Sequence, residues 1–144
     1  MTAILQTDPS YAYVILRLGL AVTFFAHGAQ HVFGWYAGRG FKGTIDNWKK
    51  KHGIPTPLCL LAMFIEMGGA LSMVSGFLVR PAAFGFASFI TIAMMRSHWG
   101  NGFFLNQGPG KEAGIEFCFV LIIMSLTLLI GGAGALSIDG LLSR

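Results

Sequence analysis

The chain has 144 residues, 54% of them hydrophobic and 11% charged, with a mean hydropathy of +0.66. A soluble domain carries roughly 25% charged residues, so this composition excludes a water-facing globule and points to a polytopic, all-α membrane protein. The net charge of +4 arises from lysines gathered in one loop, a pattern that argues against nucleic acid as a partner.

The length suits a single domain, residues 1–144, with about four spans of roughly 20 residues each. Asp8 and Pro9 read as a helix cap followed by proline in the first turn, which starts the first helix over residues 9–35. Tyr11 and Tyr13 at one end, with Trp35 and Tyr36 at the other, supply the aromatic belts of two water interfaces. The segment has no basic lead, carries Arg17 and lacks a small-residue cleavage pattern, so it reads as a retained span and not as a signal peptide. Gly19, Thr23, His27 and His31 recur every fourth residue, with Gln30 beside them. This polar stripe belongs inside the bundle, because an unsatisfied polar group in lipid costs several kcal/mol.

The loop over 37–56 contains an amphipathic stretch, with Phe41, Ile45 and Trp48 on one face and Lys49, Lys50 and Lys51 beside them. It is expected as a short interfacial helix between helices 1 and 2, stopped by Gly53 and Pro55. Thr56 and Pro57 repeat the cap-and-proline signal and open helix 2, residues 57–79, where Gly68, Ser72 and Gly76 form a small-residue seam. Arg80 and Pro81 are read as a tight turn into helix 3, residues 81–98. A Gly- and Asn-rich loop over 100–110 leads to helix 4, residues 111–131, and the tail ends in Leu141 and Leu142, which suit docking back on the interface. Cys59 and Cys118 have no paired spacing and are expected as small core thiols without a disulfide. Arg39, Lys42, Lys49, Lys50, Lys51 and Lys111 fall on one side, against Arg80 and Arg144 on the other. The positive-inside rule then places the larger loops in the cytoplasm and both termini outside.

Arg17, Glu66, Arg96 and Glu116 each interrupt one apolar run. A charge at bilayer depth costs about 2.5–3.5 kcal/mol on insertion scales, so the balanced set is expected to face inward. By depth, Arg96 pairs with Glu116, His27 is the partner for Glu66, and Arg17 snorkels to the outer interface. His27, Gln30, His31, Glu66, Arg96, His98 and Glu116 converge as the candidate binding cluster; no stand-alone catalytic motif accompanies them. Three readings stand for this cluster. One is a polar network that holds the helices in register. A second is a pocket for a quinone or other small molecule, where histidine and carboxylate exchange protons. A third is a metal or haem site built on His27 and His31 with a carboxylate, though the ExxH pair of di-iron bundles is absent from the sequence.

Several strings together bring a family into view. They are Arg17-Leu18-Gly19-Leu20, then Ala26-His27-Gly28-Ala29-Gln30-His31-Val32-Phe33-Gly34-Trp35, then Glu66 ahead of Gly68-Gly69. Gly76-Phe77-Leu78-Val79-Arg80-Pro81, His98-Trp99-Gly100-Asn101-Gly102-Phe103-Phe104 and Glu116-Phe117 follow in order. Over nearly its whole length the chain resembles the DoxX family, with His31 standing where that family usually has lysine. The resemblance implies a four-helix protein of the bacterial inner membrane, in a family named for a subunit of membrane quinone and sulfur-compound oxidation. Some relatives are thought to sit beside redox enzymes. The expectation is an accessory subunit of a quinone-linked redox system, with lipid and other membrane or redox subunits as partners. The alternative is a non-catalytic scaffold or assembly protein whose buried charges are structural.

Overall fold

The computed structural model describes residues 2–105 and 113–143, and among them every regular element is helical. A short α1 (Thr2–Leu5) precedes α2 (Tyr11–Val32). The cap of α2 is Ser10, not Asp8: Ser10 takes an extended conformation and its hydroxyl accepts the Ala12 N–H at 3.2 Å. Asp8 is held outside the helix by its own N–H, which donates to the Gly131 carbonyl at 3.1 Å. At the far end, positive φ at Gly34, Tyr36 and Ala37 turns the chain away, so Trp35 and Tyr36 lie in a turn beyond the helix.

The amphipathic stretch forms α3 (Gly40–His52), ended by Gly53 in the left-handed conformation. Thr44 is buried and Trp48 half-buried, whereas Phe41 is exposed. α4 (Thr56–Ser75) begins with proline in its first turn and closes on Gly76, whose φ of 69° allows its N–H to reach the Ser72 carbonyl at 2.9 Å.

α5 (Val79–Ala93) starts before the expected turn. Residues 76–78 make the reversal, and Pro81 sits inside the first turn of α5, where an N–H lacks a partner in any helix. Asp139 from the tail caps α5, its two carboxylate oxygens accepting the N–H groups of Leu78 at 2.8 Å and Val79 at 3.0 Å. Beyond Ala93 the helix loosens into a π-helical turn, Met94–His98, and then a 3-10 turn, Trp99–Asn101.

α6 (Glu116–Gly131) follows. The expected start at Lys111 lies outside the described residues, as does Arg144, and residues 113–115 precede the helix. The N–H groups of Gly114, Ile115 and Glu116 are spent on the carbonyls of Phe104, Gly102 and Phe103, at 3.1, 3.0 and 2.8 Å. That pairing holds the segment against the 102–104 strand of loop. The tail does dock back: α7 (Ile138–Leu142) is capped by Ser137 and carries the Asp139 that caps α5.

α2 packs on α4 and α5 on α6, while contacts between α4 and α5 and between α2 and α6 join the two pairs. Leu20, Phe24, Met73, Phe86, Leu121 and Leu128 fill the middle, with the rings of Phe24 and Phe86 stacked 3.5 Å apart. The close approach of α4 to α5 falls at Gly69, one residue beyond the expected seam: a Cβ there would strike the Phe86 ring, whereas one at Gly68 would meet only Phe64 of its own helix at 3.6 Å. The outer surface is apolar, with Val22, Phe64 and Ile130 at 71%, 72% and 78% exposure, so no part of these side chains' burial drives the fold. Two helices, α2 and α4, are long and apolar enough to cross a membrane; α5 and α6 are shorter, at 15 and 16 residues.

Arg17 does not snorkel outward. It is 3% exposed, and its guanidinium donates to the Met73, Val74 and Leu136 carbonyls at 3.1, 3.3 and 2.5 Å. The first two are carbonyls in the last turn of α4, which have no acceptor role within a helix that ends there. The cation therefore serves the end of one helix and the tail that crosses it.

Candidate binding cavity

At the end of the molecule opposite α1 and α7, four helix ends and α3 line an open cavity of about 470 Å³. α2 contributes Phe24, His27 and His31; α3 contributes Trp48 and His52; α4 contributes Leu58, Leu61, Ile65 and Glu66. The α5 end adds Phe89, Ile92, Arg96 and His98, and α6 adds Phe117, Cys118 and Leu121. The walls are thus mostly hydrocarbon and aromatic, with a few polar groups set among them, as ligand pockets commonly are.

The deepest polar feature is a pair. His31 Nδ1 lies 2.7 Å from Glu66 Oε2, the one ion-pair geometry among the described residues, and Glu66 is 1% exposed. The partner of Glu66 is therefore His31 and not His27, because residue 31 lies one turn nearer the end where α4 presents its carboxylate. The Trp48 ring stands edge-on to His31 at 4.9 Å, closing the pair from the α3 side. His27 is adjacent, its ring 6.4 Å from both His31 and Phe117. Among the described residues no three His, Cys, Asp or Glu side chains are grouped to hold a metal ion.

The π-helical turn positions the other polar end. His98 Nδ1 donates to the Ala113 carbonyl at 2.9 Å, which fixes its ring. The Asn101 amide donates to the Ser97 and Ala113 carbonyls at 3.3 and 3.1 Å. Single-turn widenings of this kind recur at functional sites, since they re-aim side chains that a regular helix would stack. Arg96 lies on this turn, exposed, and makes no hydrogen bond or ion pair with any described residue. The expected Arg96–Glu116 pair does not form: Glu116 Oε2 instead accepts the Leu105 N–H at 3.0 Å. The loop took this carboxylate because Glu116 opens α6, beside backbone donors that the turn exposes.

Of the seven residues expected to converge, His27, His31, Glu66, Arg96 and His98 line the cavity. Gln30 and Glu116 do not; Gln30 donates from Nε2 to the Tyr36 carbonyl at 3.3 Å and braces the turn after α2. Trp48, His52, Phe117 and Cys118 were missing from the expected set. The aromatic on the apolar face of α3 was the available signal for Trp48, and its four-residue spacing to His52 extends that signal by one turn.

Two spanning-length apolar helices, an apolar exterior and a cavity at one end with a buried carboxylate in its wall fit a helical membrane protein. The chain belongs to the DoxX family, whose model matches residues 12–99. It is similar to the inner membrane protein YqjF of Escherichia coli (strain K12), with 32% identity over 113 residues that cover 77% of this chain and 81% of that protein. No solved structure matches it.

Proposed function

We propose that the chain is a four-helix subunit of the bacterial inner membrane whose cavity binds a quinone or similar amphiphile for a quinone-linked redox system. The membrane assignment draws on the apolar exterior and on the name of the Escherichia coli relative. In this reading the bundle spans through α2, α4, α5 with its terminal turns, and α6. The basic residues of α3 support a cytoplasmic side for that helix and the cavity, with the termini outside.

The observation that carries the ligand reading is the His31–Glu66 pair at 2.7 Å in the wall of an apolar cavity. The donor set fits a quinone: a histidine to meet a carbonyl oxygen, and aromatic and aliphatic walls for the ring and chain. A quinone, when bound, supplies acceptance of two electrons and two protons. Glu66 takes the Nδ1 side of His31 and so orients the imidazole, leaving Nε2 as the nitrogen that exchanges a proton. Trp48 covers one side of His31 and Glu66 is almost wholly withdrawn from solvent, which strengthens the hydrogen bond between them. The alternative, a scaffold whose charges are structural, draws support from Arg17 and Asp139 at the opposite end and from Glu116 near the cavity, each taken up by backbone groups.

The test is quinone retention and quinone titration of the purified chain in nanodiscs. Loss of a buried, charge-assisted hydrogen bond is expected to weaken binding about tenfold or more in His31→Ala and Glu66→Gln. Helix content by circular dichroism controls for folding. Equal quinone binding by both variants and wild type would remove the pair from the site.

A further inference from the structure

We infer that the cavity has a second, anion-selective end at Arg96, so that it accepts long-chain anions: a carboxylate or phosphate head on an apolar chain. This rests on the reading of the cavity as an amphiphile site, and it adds a head-group preference that a neutral quinone does not require.

Among the described residues the polar lining is one-sided: Arg96, His27, His31, His52 and His98 are cationic or basic side chains, against a single carboxylate, Glu66. That carboxylate is already engaged by His31. Glu116, the acid that sequence depth would bring to Arg96, is turned to the Leu105 N–H and is absent from the lining. A permanently charged guanidinium is therefore left facing the cavity without a counter-ion among the described residues. Its planar fork matches the paired oxygens of a carboxylate or phosphate.

The turn that carries Arg96 is also braced. His98 and Asn101 both bond to the Ala113 carbonyl, and Asn101 also holds Ser97, so the residues flanking Arg96 are tied to the segment before α6. Such support lowers the ordering cost when a ligand binds. Beyond the head position the lining is hydrocarbon, with Leu58, Leu61, Ile65, Phe89 and Ile92 available to an alkyl chain. A bilayer phospholipid or a free fatty acid would supply this chemistry.

The experiment uses the full chain in nanodiscs of phosphatidylcholine. It compares three probes of equal chain length: palmitate, hexadecyl phosphate and hexadecanol. Charge-assisted hydrogen bonds to Arg96 should make both anions bind about tenfold or more tighter than hexadecanol, and Arg96→Gln should erase that difference while keeping hexadecanol binding. A stronger response to the phosphate points to a phospholipid source, and a stronger response to palmitate to free fatty acid. Equal binding of all three probes to wild type overturns the anion end and leaves the cavity reading standing. An anion preference that survives in Arg96→Gln also overturns it. Failure of every probe removes both readings. Should Arg96→Gln lose hexadecanol as well, the decision passes to Arg96→Lys. A retained preference there supports the inference, and its loss with hexadecanol binding intact refutes it.

Discussion

Arg17 and Glu66 show how similar costs are met in different ways. Each is an ionisable group almost wholly withdrawn from solvent, at 3% and 1% exposure. Arg17 is answered by three carbonyls, Glu66 by one imidazole. Removing Arg17 would strand the Met73 and Val74 carbonyls at the end of α4 and free Leu136 from it. Unsatisfied buried groups cost about 1–3 kcal/mol each, so Arg17→Met is expected to lose about 3 kcal/mol or more. Arg17→Lys, with fewer donors, should lose less than Met and more than nothing. Thermal melts in detergent check this, and an Arg17→Met melt matching wild type would show that the carbonyls find other donors. That Arg17 and Glu66 need partners is readable from their place in apolar runs. Which partners they take is not, because Leu136 lies 119 residues from Arg17 along the chain and His31 lies 35 from Glu66.

At the scale of elements, a shift of one residue along α4 separates a contact glycine from an idle one. Gly69 lies against the Phe86 ring, which is itself stacked on Phe24 and has nowhere to retreat. Gly69→Ala is therefore expected to cost about 1–3 kcal/mol through overpacking. Gly68→Ala should be neutral or stabilising by up to about 1 kcal/mol, from helix propensity alone. Parallel melts of the two variants test this, and equal melts would place the helix contact elsewhere. A spacing of four found Gly68, Ser72 and Gly76 but passed over Gly69, whose neighbours four residues away, Ile65 and Met73, are large. α3 makes the same point. Its existence and its stop at Gly53 follow from local chemistry, yet the buried face centres on Thr44 and Trp48 because the α2 end offers His31 there. The π-helical turn carries no sequence signal that periodicity detects, and it decides where Arg96 points its charge.

For the whole molecule, the helical ends sort into two poles. One gathers α1, α7 and the α4–α5 turn around Arg17, Arg80 and Asp139. The other gathers α3, the π-helical turn and the cavity. The proposed orientation puts the second pole in the cytoplasm. Cysteine labelling tests it with little background, because Cys59 and Cys118 are both buried. In intact spheroplasts an impermeant maleimide should modify Leu142→Cys, and should reach Lys50→Cys only after permeabilisation. The reverse pattern would invert the molecule.

The sequence by itself determined the solvent and the helical class: too few charges for water, and apolar runs of helical length, with a stop at Gly53. It also marked His27, His31, Glu66, Arg96 and His98, which line the cavity, although His27 and Arg96 stay exposed and Gln30 and Glu116 turn elsewhere. Only the tertiary structure decided the pairings, giving His31 to Glu66, the Leu105 N–H to Glu116, and the α4 end with the tail to Arg17. The physical reason is that burial cost is a property of one residue and its surroundings by type, whereas a hydrogen bond depends on two groups meeting within about 3 Å. That meeting is set by loops and turns whose geometry a one-dimensional pattern does not carry.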